Sequence, residues 1–241
     1  MTRIVLVHGA WSSGAAWDGL VPLLRHAGHD VTAITLPGHG DDPTPPDQVG
    51  LSEYAAHVAD VLRTGEPAVL IGHSMGGMVI SATAELAPDR VRRLIYVAAF
   101  LPQDGQSLLD LIKQQDAPGI MPAVRRGPEK GATTLDPDRA AEVLFPDAPP
   151  EQQVRALAAL TRQPNRGQTE PARLTAARFG TVPRNYILCT QDRTVTPALQ
   201  RAMLAASPGT VTRELDCGHF PQITAPAALA EIVNDMIAQV A

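Results

Sequence analysis

Ala68-Val69-Leu70-Ile71-Gly72-His73-Ser74-Met75-Gly76-Gly77-Met78-Val79-Ile80 passes from a β-branched apolar run, through a serine flanked by glycines, into a second apolar run with helical spacing. The pattern predicts a strand, a sharp turn and a helix with Ser74 at the apex. Gly72-His73-Ser74-Met75-Gly76 fits G-x-S-x-G, in which a nucleophilic serine occupies a strained turn and small neighbours let strand and helix pack closely. So loose a pattern also describes an ordinary strand-to-helix turn with serine as the helix N-cap. The two readings separate on whether the rest of the chain supplies the partners that a nucleophilic serine needs.

Outward from this stretch the chain alternates. Arg3-Ile4-Val5-Leu6-Val7, Val31 to Leu36, Ala68 to Ile71 and Val91 to Ala99 read as strands; between them, apolar periodicity predicts helices around Trp17 to Leu24, from an N-cap at Ser52 to Gly65, and from Gly76 to Pro88. Pro37-Gly38-His39-Gly40 opens a polar, proline-rich loop that needs no core. From about 101 to 182 alternation fails, and helical fragments (Leu108 to Gln115, Pro137 to Leu144, Pro150 to Thr161) follow one another without strands, which predicts an inserted helical cap. Alternation resumes with Arg184 to Cys189, a helix from Pro197, the strand Val211 to Leu215 and a helix from Ala225 to Val240. The expected fold is α/β, a mostly parallel, doubly wound sheet of six strands, with 1–100 and 183–241 as its core and 101–182 as a lid.

Composition bounds the function. The chain has 241 residues and a net charge of -5, with acidic and basic residues interspersed and no basic cluster, which argues against nucleic acid or an anionic membrane as partner. A small neutral ligand, such as an ester substrate, fits better, and the sequence is compatible with a homodimer. The first strand begins at once and no apolar run is long enough to span a bilayer, so a cytoplasmic protein is expected. Cys189 and Cys217 allow one disulfide at most and read as reduced buried thiols without metal-site spacing. No metal or organic cofactor is implied.

In an open parallel sheet, function gathers beyond the carboxyl ends of the strands. A serine there needs a base, and the base needs a carboxylate to hold its tautomer. The chain order Ser74, Asp192, His219 meets this, with Asp192 after the penultimate strand and His219 after the last. Asp104 borders the same crevice and is a rival acid; Asp216, three residues before the histidine, is suited to ordering its loop. His8 and His73 read as structural hydrogen bonders, and His26, His29, His39 and His57 as surface residues. The developing oxyanion needs two fixed donors: the backbone N–H of Met75 and, in the loop after the first strand, that of Ala10. Gly9, Trp11, Ser12, Phe100, Phe145 and Phe220 are the candidate pocket residues.

These residues carry a family likeness. Val5-Leu6-Val7-His8-Gly9-Ala10-Trp11, Leu36-Pro37-Gly38-His39-Gly40, Gly72 to Gly77, Tyr96 to Pro102, Cys189-Thr190-Gln191-Asp192 and Gly218-His219 resemble the α/β-hydrolases, and among them the plant methylesterase and hydroxynitrile lyase group with its bacterial esterase relatives. The resemblance implies a Ser74, Asp192, His219 triad, an oxyanion hole from the Ala10 and Met75 amides, and hydrolysis of small to medium esters. A lyase on the same triad and a non-catalytic small-ligand receptor are the other classes it allows. Lyases of that group carry a threonine in the loop after the first strand and a lysine directly after the histidine. Here Gly9 and Phe220 stand at those positions.

Overall fold

A computed structural model describes residues 1–238. The order is β1 (Arg3–Val7), α1 (Val21–His26), β2 (Asp30–Ile34), α2 (Leu51–Leu62), β3 (Ala68–His73), α3 (Gly76–Leu86) and β4 (Val91–Val97). Then come α4 (Leu108–Ile112), β5 (Val124–Arg126), β6 (Ala132–Leu135), α5 (Pro137–Leu144), α6 (Pro150–Ala158), β7 (Gln163–Pro164) and α7 (Arg166–Thr169). The chain returns with β8 (Arg184–Cys189), α8 (Pro197–Ala205), β9 (Val211–Leu215), α9 (Pro221–Thr224) and α10 (Pro226–Ala238). The end expected for the last helix, Val240, lies outside the described residues.

The main sheet runs β2-β1-β3-β4-β8-β9 with every neighbouring pair parallel. The inner strands β1, β3, β4 and β8 carry runs of buried apolar residues because both faces are covered, whereas the edge strands β2 and β9 are partly exposed. On β1, Val5 and Val7 belong to the core shared with α2 and α3, while Ile4 and Leu6 meet Trp17, α1 and α10 on the other face. The chain leaves β1 toward β2 on one side and crosses back to β3 on the other. The loops after β1 and β3 therefore diverge at a topological switch point, where an open α/β sheet forms its crevice.

Three expectations change. The 101–182 segment is not purely helical: β5, β6 and β7 form a small antiparallel sheet of their own. With three, four and two residues, they are too short to show a period-2 pattern. Helix α2 starts at Leu51 and is not capped by Ser52; the Glu170 carboxylate accepts the N–H groups of Leu51 (2.9 Å) and Ser52 (3.3 Å), and Glu53 accepts that of Gly50 (2.7 Å). Carboxylates there also complement the positive end of the helix dipole. The loop after β2 is not free of the core, since His39, Pro46 and Val49 are buried in it.

Candidate active site

The strand-turn-helix around Ser74 is built tightly. Ser74 has φ +53°, a left-handed conformation that a side chain adopts only when its surroundings enforce it. The close packing of strand and helix enforces it here. A Cβ on Gly72 would lie 2.6 Å from the Gly76 carbonyl oxygen, and one on Gly76 would lie 2.5 Å from that of Val7. Glycine at both places is thus a steric requirement of the turn.

His219 and Asp192 meet at this turn from the last two strand ends. His219 Nδ1 lies 2.8 Å from Asp192 Oδ2, both side chains being buried, and the His219 carbonyl accepts a 2.7 Å hydrogen bond from His73 Nε2, next to Ser74. The carboxylate is fixed in turn. Its Oδ1 accepts the N–H groups of Thr194 (2.7 Å) and Val195 (3.0 Å), and buried Gln200 donates to Oδ2 at 3.4 Å. Asp104 points elsewhere, accepting the Leu174 N–H at 2.9 Å, and Asp216 binds Thr190 and Gln191 in the exposed loop. Ser74 Oγ makes no hydrogen bond to a described residue; catalytic serine–histidine bonds are often slack until a ligand arrives.

Beside the serine lie two amides with no acceptor among the described residues, those of Ala10 and Met75, and both residues line the cavity over Ser74. The Ala10 amide is oriented from behind. His8 Nε2 accepts the Leu36 N–H (3.0 Å), so Nδ1 carries the proton and donates to the Gly9 carbonyl (2.7 Å). Because the C=O and N–H of one trans peptide point in opposite directions, fixing Gly9 O aims the Ala10 N–H away from His8.

Of the candidate pocket residues, Trp11 and Phe100 line this cavity, with Leu108, Ile112, Ile120 and Met121 from the 101–182 segment. The remaining four do not. Phe145 and Phe220 pack on each other (centroids 4.8 Å apart) in an apolar cluster that they share with Trp11 and Ile120, and they line a different cleft, with Gln152, Leu160 and Ile223. Ser12 is buried with its carbonyl accepting from Thr161, and Gly9 lies against Ser74 and His73 without a side chain to offer. Among the described residues no group of three or more His, Cys, Asp or Glu is placed to hold a metal ion, and no helix is long and apolar enough to cross a membrane.

The sequence profile of the alpha/beta hydrolase family matches residues 4–232. The chain belongs to that family. Among curated proteins, this hydrolase is 30% identical over 252 residues to rice (Oryza sativa subsp. japonica) esterase PIR7B, covering 96% of this chain and 94% of the esterase. It is 33% identical over 258 residues to a pyrethroid hydrolase of Sphingobium wenxiniae, covering 98% and 87%. The crystal structure of a pyrethroid hydrolase from Sphingobium faniae JZ-2 superposes with a TM-score of 0.87 at 31% identity, over 98% of this hydrolase and 96% of that chain.

The hydrolase also contains site residues that its sequence does not announce. Gln200, four residues into α8's first turns, and Asp147, which accepts the Gly218 N–H at 2.8 Å and so braces the loop before His219, come close only through the fold. His39, expected at the surface, is fully buried because Gln163 folds over it and bonds its Nε2 at 2.9 Å. Burial and the neighbouring His39 push His8 down to about 3, and burial holds His39 and His73 below the usual histidine range. All three are neutral near pH 7. In the unfolded chain each would titrate near 6.5, so below that pH the unfolded state binds protons that the native state refuses. Stability should be complete above pH 6.5 and fall progressively toward pH 3, by about 2 kcal/mol at pH 5 from His8 alone. Thermal unfolding at pH 7.5 and pH 5 checks this: a clearly lower Tm at pH 5 is expected, and an unchanged one would contradict it.

Proposed function

We propose that this hydrolase cleaves small to medium carboxylic esters by acyl transfer to Ser74. The observation that carries the reading is the 2.8 Å pairing of buried His219 and Asp192 at a strained serine turn flanked by two amides that have no acceptor among the described residues. His219 Nε2 takes the Ser74 proton as Oγ attacks the ester carbonyl, while Asp192 stays ionised and holds the imidazole tautomer. The oxyanion forms between the Ala10 and Met75 N–H groups. The imidazolium returns its proton to the departing alkoxide, and water activated by His219 then releases the acid from the acyl-enzyme. The apolar cavity over Ser74 suits an acyl or alcohol group without charge, and the esterase and pyrethroid hydrolase names of the relatives agree with that class. In this reading residues 101–182 are a cap on a core of 1–100 and 183–241, and the two reduced, buried cysteines suit the cytoplasm.

Two positions speak against lyase chemistry. A Cβ on Gly9 would lie only 2.8 Å from Ser74 Cβ, so position 9 does not take a hydroxyl-bearing side chain without a shift of the serine turn, and Phe220 cannot stabilise a cyanide anion as an ammonium would. A panel of p-nitrophenyl and methyl esters should therefore be hydrolysed, while mandelonitrile is not cleaved significantly. Brisk cyanide release that disappears in Ser74→Ala would replace the esterase reading with the lyase one.

A further inference from the structure

Trp11 follows the Ala10 donor and, like Ser74, has φ +53°, a strained conformation costing on the order of 1–3 kcal/mol that persists only where neighbours over-determine it. All of its polar groups are held by the 101–182 segment. Its N–H donates to Gln163 Oε1 (3.3 Å), its carbonyl accepts the Thr161 N–H (2.8 Å), and its indole N–H donates to Thr133 Oγ1 (3.2 Å). Gln163 is fully buried and has no choice of orientation. Its Nε2 donates to the Pro164 carbonyl (2.7 Å), which turns Oε1 to receive both the Trp11 N–H and His39 Nε2–H. His39 in turn packs edge-on against His8 at 4.9 Å, the residue that fixes the Gly9 carbonyl. The peptide before Ala10 is thus held by His8 and the peptide after it by Gln163, and the two holders are joined through His39.

We infer that Gln163 is a positioning residue for the oxyanion hole: by fixing the Ala10–Trp11 peptide and the His39 ring that packs on His8, docking of the 101–182 segment holds in place the Gly9–Ala10 peptide, which carries the Ala10 N–H. This rests on the reading of Ser74 as nucleophile with Ala10 as an oxyanion donor. Gln163 itself does not line the cavity over Ser74, so it acts on the reaction through Trp11. Losing it releases a strained residue and leaves His39 and the Trp11 N–H without their common acceptor. A misdirected donor weakens the transition state but not the apolar contacts that bind the ground state.

The test compares wild type with Gln163→Met, which keeps the side-chain volume without the hydrogen bonds, and Gln163→Asn, whose shorter amide cannot span the same distance. Both are assayed on p-nitrophenyl butyrate and titrated with an arylboronic acid, which becomes tetrahedral on a nucleophilic serine and places an oxygen in the hole. Removing a whole donor costs ~100- to 1000-fold in kcat, so misdirecting one is expected to lower kcat about 10- to 100-fold. KM should stay within about twofold, and boronate affinity should fall in parallel with kcat. Should the methionine variant not fold, the asparagine variant decides by the same criteria. Variants with wild-type kcat and boronate affinity, or with a change in KM alone, overturn the role of Gln163 while leaving ester hydrolysis at Ser74 standing. A wild type that neither hydrolyses the ester nor binds the boronate overturns both.

Discussion

Ser74→Ala is expected to lose hydrolysis of an activated ester by a factor of about 10⁴ or more, and His219→Ala to lose nearly as much, because the members of a nucleophile-base pair act as a unit. Both variants should keep the fold. Ser74 Oγ has no hydrogen bond to a described residue, so its removal leaves no buried partner unsatisfied, and alanine retains the Cβ on which the turn packs. His219 lies at the end of a loop braced through the Gly218 N–H and the His219 carbonyl, both backbone groups that the substitution leaves in place. The measurement is kcat/KM on a p-nitrophenyl ester beside far-UV circular dichroism. Native spectra with near-native activity in either variant would remove that residue from the mechanism.

The second large effect distinguishes two carboxylates. Asp192→Asn should reduce kcat by roughly 10⁴, since an amide in place of the carboxylate favours the wrong imidazole tautomer, whereas Asp104→Asn should stay within a few-fold of wild type. The structure gives the reason for the difference. Asp192 is buried, 2.8 Å from His219 Nδ1, and its other oxygen is taken by two backbone amides; Asp104 is exposed and holds the Leu174 N–H. The reverse ranking of the two variants would make Asp104 the acid.

The core of the fold was legible because inner parallel strands buried on both faces leave apolar runs, as in Arg3–Val7 and Arg184–Cys189; the exposed edge strand Val211–Leu215 was readable instead from its place in the strand-helix alternation. The serine turn was legible for a related reason: its glycines are steric necessities, so they must appear as a motif. What escaped reading depends on residues brought together from far apart. Gln163 covers His39 from 124 positions away, which turns an apparent surface histidine into a buried one. Glu170 caps a helix that begins at Leu51 and makes the local serine unnecessary. The strands β5 and β6 pair only with each other and with the two residues of β7, so no stretch is long enough to show its period. Phe145 and Phe220, expected to line the pocket, are instead buried against each other, with the Phe220 ring also packed on His73.

The central claim is that an acyl group passes through Ser74. Mixing the enzyme with excess p-nitrophenyl butyrate, quenching in acid within the first turnover and mapping peptides by mass spectrometry tests it directly. A butyryl adduct on the peptide that contains Ser74, absent from Ser74→Ala and accumulating with a burst of p-nitrophenol, is the expected result. An adduct on a different residue, or steady hydrolysis by the Ser74→Ala enzyme at the wild-type rate, would contradict the account.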